Sequence, residues 1–160
     1  RLEILDKVVS EARTWIRPSG LDIEILTDRP PKDNAVGEYE NASVFTGTIR
    51  LRIGLYEIMT MSNPEELEAD VRVTVFHEIG HALIDALNDL SDDEIAPYKD
   101  EYFDIFYDDN GVTEEDIVEE FGQSFDDTNI LNNGHSLLRE LVELIMEDDP
   151  SLLAYNNNNI

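Results

Sequence analysis

Residues 63–88, NPEELEADVRVTVFHEIGHALIDALN, decide how this chain is built. Asn63 can cap, Pro64 suits a first helical position and Glu65 and Glu66 suit a first turn, so a long helix is predicted from this point to about Asn88. Val75, Phe76, Ile79, Ala82, Leu83, Ala86 and Leu87 give that helix a core face. His77 and His81 stand four positions apart, which puts both imidazoles on one face about one turn apart, where a single metal ion can be chelated. Glu78 projects toward the same cleft as a candidate base, and Gly80 beside the histidine face lets another element come close.

Upstream, Leu2, Leu5, Val8, Val9, Ala12, Trp15 and Ile16 recur at helical spacing before Pro18 and Gly20 supply a stop. Leu21 to Leu26 alternates apolar and acidic residues as a half-buried strand does, ending at Asp28-Arg29-Pro30-Pro31. After a loop and the short segment Val36 to Glu40, Thr48 to Ile53 places Ile49, Leu51 and Ile53 on one face and Thr48, Arg50 and Arg52 on the other. Downstream, Ile95, Tyr98, Tyr102, Ile105 and Phe106 predict a helix within residues 94–107, with its start confined by Pro97. Thr113 followed by Glu114, Glu115 and Asp116 predicts a capped helix bearing Ile117, Val118, Phe121 and Phe125. A final helix is expected from Ser136 to Glu147, after Asn132-Asn133-Gly134. The predicted class is α+β, with one domain over residues 1–155 and a frayed tail at 156–160 that includes the Asn156 to Asn159 run.

The composition narrows the chemistry. Eleven basic against 37 acidic residues give a net charge of −26, which repels a phosphate backbone and excludes nucleic-acid binding by a basic surface. The excess is confined to one part: residues 1–60 carry 8 basic and 10 acidic side chains, residues 61–160 carry 3 and 27. A solvated acidic surface is the plain reading, and a nucleic-acid mimic the sharper one. No apolar stretch reaches the length of a membrane span and the first ten residues lack a signal-peptide core, so a soluble cytoplasmic protein is expected. The first residue is Arg1 rather than methionine, which leaves room for an upstream segment.

Without cysteine, any transition metal is held by histidine and carboxylate. A third histidine on the long helix is absent, since Ile84 and Leu87 stand where the H-E-x-x-H-x-x-G-x-x-H arrangement needs glycine and histidine. Asp85 lies a turn beyond His81, but its short side chain leads away from the metal, which suits an outer or solvated role. The other candidates for a third ligand are the acids of the helix after Thr113, with Glu119 foremost and its neighbour Glu120 as rival, and His135, which is also readable as a surface residue or an oxyanion donor. Asp108-Asp109-Asn110-Gly111 is not an EF-hand loop, because Phe106 and Ile117 would occupy its first and twelfth positions without side-chain oxygen.

The His77-Glu78-x-x-His81 helix, followed by Glu119-x-x-Gly122-x-x-Phe125, resembles the gluzincin metallopeptidases, most closely the short prophage immunity-protease (ImmA/IrrE-like) group. Gly37-x-Tyr39 and Ile49-x-Leu51 fit the same comparison, which covers about residues 36–126. The resemblance implies a compact zincin-like domain, a small twisted sheet over an active-site helix. It further implies Zn2+ held by His77, His81 and Glu119, with Glu78 as the catalytic glutamate. Two departures stand out: the interval from His81 to Glu119 is longer than in short members of that group, and Gln123 replaces an acid that some gluzincins place four positions after the ligand.

The expected activity is zinc-assisted hydrolysis of a peptide or protein substrate, with Glu78 as general base. Strand Thr48 to Ile53 is expected to border the cleft and pair with an extended substrate. Arg50 and Arg52 would favour acidic substrates unless the protein's own acids engage them. Tyr102, Tyr107, Tyr155 and His135 are the candidate oxyanion donors. The competing expectation is an acidic interaction protein that mimics nucleic acid, its zinc purely structural and closed by a fourth ligand such as His135.

Overall fold

The computed structural model describes residues 2–107, 111–127 and 135–155. Its elements are α1 (Leu2–Ile16), β1 (Asp22–Ile25), β2 (Gly37–Tyr39), β3 (Thr48–Ile53), α2 (Leu55–Met61), α3 (Leu67–Asn88), α4 (Asp92–Ile95), α5 (Phe103–Phe106), α6 (Glu114–Gln123), α7 (Leu137–Asp148) and α8 (Leu152–Tyr155). The class is α+β, as the sequence predicts. Asp108, Asp109 and Asn110, Asn132-Asn133-Gly134 and the Asn156–Asn159 run lie outside the described residues.

The sheet is mixed, in the order β1-β3-β2. β1 runs parallel to β3 with Ile23 beside Ile49, and β2 runs antiparallel to it with Tyr39 beside Leu51. Alternation along the strands gives the sheet two faces. Ile23, Ile49 and Leu51 are buried in the core formed with α1 and α3. The opposite face is laced with ion pairs: Arg50 Nε donates to Glu24 at 2.9 Å, and Arg52 engages Asp28 and Glu40 at 3.0 and 3.1 Å. Both arginines are therefore taken up by the protein's own acids. β3 is also the central strand, its two edges filled by β1 and β2, so it cannot add a substrate strand. β1 and β2 are the two edge strands, because the chain makes both before inserting β3 between them.

Helix α3 begins later than its sequence suggests. The Asn63 side-chain oxygen accepts from the amides of Glu65 and Glu66, making a turn that delivers the chain to Leu67. The region predicted as one helix within 94–107 is instead two short helices joined by turns. Ser91 and Glu94 close a capping box around α4, and Pro97, which has no amide hydrogen, follows directly. The helical spacing still buries Tyr98, Tyr102 and Ile105. α2 has no sequence counterpart above, since Ile58 is its one buried residue while Tyr56 and Met61 stand in solvent.

Four aromatic rings tie α1, α3 and the α6 segment together. Trp15 meets Phe76, Phe121 and Phe125 at ring-centroid distances of 6.1, 5.6 and 5.2 Å, and Phe76 stacks on Phe125 at 3.7 Å. Such rings bury large areas with defined geometry and fix the docking of the helices that carry them. α7 closes over this cluster: Arg139 lies 4.1 Å above the Phe125 ring and donates to the Ser124 carbonyl. Among the described residues no helix is long and apolar enough to cross a membrane.

Candidate metal centre

The site is built where α3 and α6 touch. At Gly80 a Cβ would lie 3.0 Å from Val118 Cγ1 and 3.1 Å from Phe121 Cδ2, so glycine lets α6 settle against the histidine-bearing turn. Gly122 answers from the other side, where a Cβ would meet the Val73 carbonyl oxygen at 2.7 Å. The close approach anticipated at Gly80 is thus made by α6, which runs antiparallel to α3: Gly122 sits near Val73 and His77, Val118 near Gly80, and Glu114 near His81.

The docking brings the first turn of α6 over both imidazoles. His77 Nε2 lies 2.8 Å from Glu115 Oε1, and His81 Nε2 lies 3.4 Å from Glu115 Oε2. The other ring nitrogen of His81, Nδ1, lies 2.6 Å from Glu114 Oε2. His77, His81 and Glu115 each offer one ligand atom within 4.8 Å of the others, a group that could hold a metal ion. Two imidazoles and a carboxylate suit a divalent transition ion, and a carboxylate behind a ligating histidine is the usual means of orienting its ring. The donor set therefore fits a metal.

Glu119, the third ligand implied by the resemblance, lies outside this group and is exposed. The reason is rotational. At about 100° per residue, Glu119 is about 100° around α6 from Val118, which faces α3, whereas Glu115 is about 60° away. Helical side chains also lean toward the helix N-terminus, which carries Glu115 toward the histidines. Glu120 turns to α7, where it accepts the Leu137 amide at 3.0 Å. His135 is exposed and takes no part in the group. Glu114 and Glu115 stood in the sequence among the acids of the helix after Thr113, as its first-turn residues, and nothing local ranked Glu115 above Glu119. The cap itself is as expected, with Thr113 Oγ1 accepting the Asp116 amide and Asp116 accepting the Thr113 amide.

Glu78 is 9% exposed and lies between α3 and β2. Gly37 makes room for it: a Cβ there would lie 2.9 Å from Glu78 Cγ and 2.8 Å from Thr74 Cγ2. Burial pushes the Glu78 carboxyl above the usual carboxylate range, opposed by the nearby His77 and His81 and by a hydrogen bond from the Tyr39 amide. Asp85 belongs to the cleft wall and not to the metal group. Burial raises its pKa as well, against a hydrogen bond from the Tyr39 hydroxyl, and that hydroxyl also accepts the Val44 amide at 3.3 Å. Asp85 and Tyr39 together pin the β2 turn to α3.

Gly37, Tyr39, Glu78, His81, Asp85 and Glu114 line a cleft of about 300 Å3. Of the expected oxyanion donors, Tyr102 is buried and donates to Glu140 at 3.1 Å, and Tyr107 packs on Phe103 at the rim of a neighbouring cleft. The side chain of Tyr155 lies outside the described residues. No family model, no curated protein and no solved structure matches the chain.

Proposed function

We propose that this protein is a zinc-dependent peptide hydrolase with a zincin-like domain. The observation that carries the reading is a buried carboxylate, Glu78, beside a pair of histidines that share a third donor, Glu115. A zinc ion held there would acidify a water molecule and polarise the scissile carbonyl. Glu78 accepts the proton of that water and returns it to the departing amine. Its raised affinity for protons suits both halves of the transfer. Glu114 holds the His81 ring in register, and the Tyr39 amide aims Glu78. The edge strand β2 borders the cleft and is the element that can pair with an extended substrate.

Among the described residues three donors gather here, a set that would leave a bound zinc ion a position for water and so favours catalysis over a closed structural site. The test is elemental analysis of wild type and His81→Ala, with peptide cleavage measured for Glu78→Gln. About one zinc per chain, lost in His81→Ala but kept in a cleavage-dead Glu78→Gln, is the expected result. Failure of zinc-replete wild type to bind the ion, or full cleavage by Glu78→Gln, overturns the reading.

A further inference from the structure

Beyond Glu114 lies a second and larger cleft, about 650 Å3, between the end of α3, the α5 segment and the start of α6. We propose that it is the subsite that takes a lysine or arginine side chain of the substrate, an inference that rests on the peptide-hydrolase reading. Glu114 lines both this cleft and the one that holds Glu78 and His81, so the two adjoin at that side chain. Ile84, on the floor, is three residues beyond His81, about 4.5 Å along the helix axis, comparable to one or two residues of extended peptide.

The walls divide by chemistry. Ile84, Ile105, Val112 and Ile117 are apolar and can cover a four-carbon or three-carbon stem, while among the described residues the charged ones of the lining are Asp104 and Glu114, both acidic. Lysine and arginine bury the stem and keep the head at a polar rim, which is the arrangement present here. The start of α6 contributes about half a positive charge, less than the two carboxylates. The wider field points the same way: the chain carries −26, and residues 61–160 hold only Arg72, Lys99 and Arg139 as cations. Arg72 is bound to Glu11 and Glu68, and Arg139 to Glu143 and the Ser124 carbonyl. An acidic cleft in an acidic protein concentrates cationic ligands and repels anionic ones.

The experiment is a methyl NMR titration of the zinc-loaded Glu78→Gln chain with an alanine-based octapeptide carrying one central lysine, and with its norleucine and glutamate analogues. The lysine peptide is expected to shift the Ile84, Ile105 and Ile117 methyl signals and to bind at least about ten-fold more tightly than norleucine, with the advantage shrinking in high salt. Asp104→Asn should cut the lysine preference, and Val112→Phe, which fills the cleft, should abolish the shifts. Equal binding of lysine and norleucine, or shifts confined to other residues, overturns the subsite. Binding at these isoleucines without cleavage by wild type would refute hydrolysis and leave the subsite standing. Cleavage indifferent to lysine would do the reverse.

Discussion

Gly122 lies so close to His77 that a Cβ added to it would stand 3.2 Å from the His77 amide nitrogen and 3.3 Å from the His77 Cβ. The contact is backbone to backbone, so no side-chain rotation relieves it. Gly122→Ala is expected to push α6 off α3, costing about 1–3 kcal/mol of stability and weakening metal binding by withdrawing Glu115. Chemical denaturation and competition with a chromophoric chelator measure the two effects, and an alanine variant with unchanged zinc affinity would show that the seam does not position the third donor.

The carboxylates of α6 should separate by role. Glu115→Gln removes a donor and is expected to lose more metal affinity than the roughly 10–100-fold typical of an outer carboxylate, which is the loss expected for Glu114→Gln. Glu119→Gln should leave affinity within about three-fold, as for a surface substitution. The same chelator competition ranks all three, and the reverse order for Glu115 and Glu119 would restore the assignment implied by the family resemblance.

Gly37→Ala tests how Glu78 is aimed. The added methyl would meet Glu78 Cγ and Thr74 Cγ2 inside 3 Å, so either the glutamate or β2 must move. Peptide cleavage should fall by at least about ten-fold, given how strongly proton transfer depends on position. Zinc content should be unchanged, because the three atoms nearest the new methyl belong to Thr74 and Glu78 and not to His77, His81 or Glu115.

Glu38, on β2 at the wall of the candidate cleft, supplies a pH dependence of its own. The Arg29 fork is the main influence holding its carboxyl down to about 2, helped by the Lys32 amide and by Arg52. Because the folded-state value lies below the unfolded one, the stabilisation is full above about pH 5 and is lost as pH falls toward 2. Glu38→Gln should therefore cost on the order of 1 kcal/mol at pH 7, with the difference from wild type closing at the acid end. Urea melts of both proteins across that range check the sign.

Much of this was legible in residue order. α1, the histidine pair of α3 and the cap at Thr113 follow from local spacing and local hydrogen bonds, so they emerge as expected. What was not legible depends on rigid-body placement. Glu115 rather than Glu119 reaches the imidazoles because of the rotation of α6 about its axis, which Gly80, Gly122 and Val118 determine across a long stretch of intervening chain. The six-residue alternation of β3 announced a strand, but its central position follows from the parallel pairing with β1, a relation that no residue within β3 encodes. Residues 94–107 kept the spacing of a helix and lost its continuity after the Ser91 capping box.

The aromatic cluster gives the protein a built-in optical gauge. Trp15 is the single tryptophan of the chain, and its ring touches Phe76, the residue before His77, as well as Phe121 and Phe125 on the opposing segment. Its emission therefore reports the separation of the two helices that carry His77, His81 and Glu115, the group that could hold a metal ion. Zinc titrations of the unlabelled protein can be followed by the colour and intensity of that one indole.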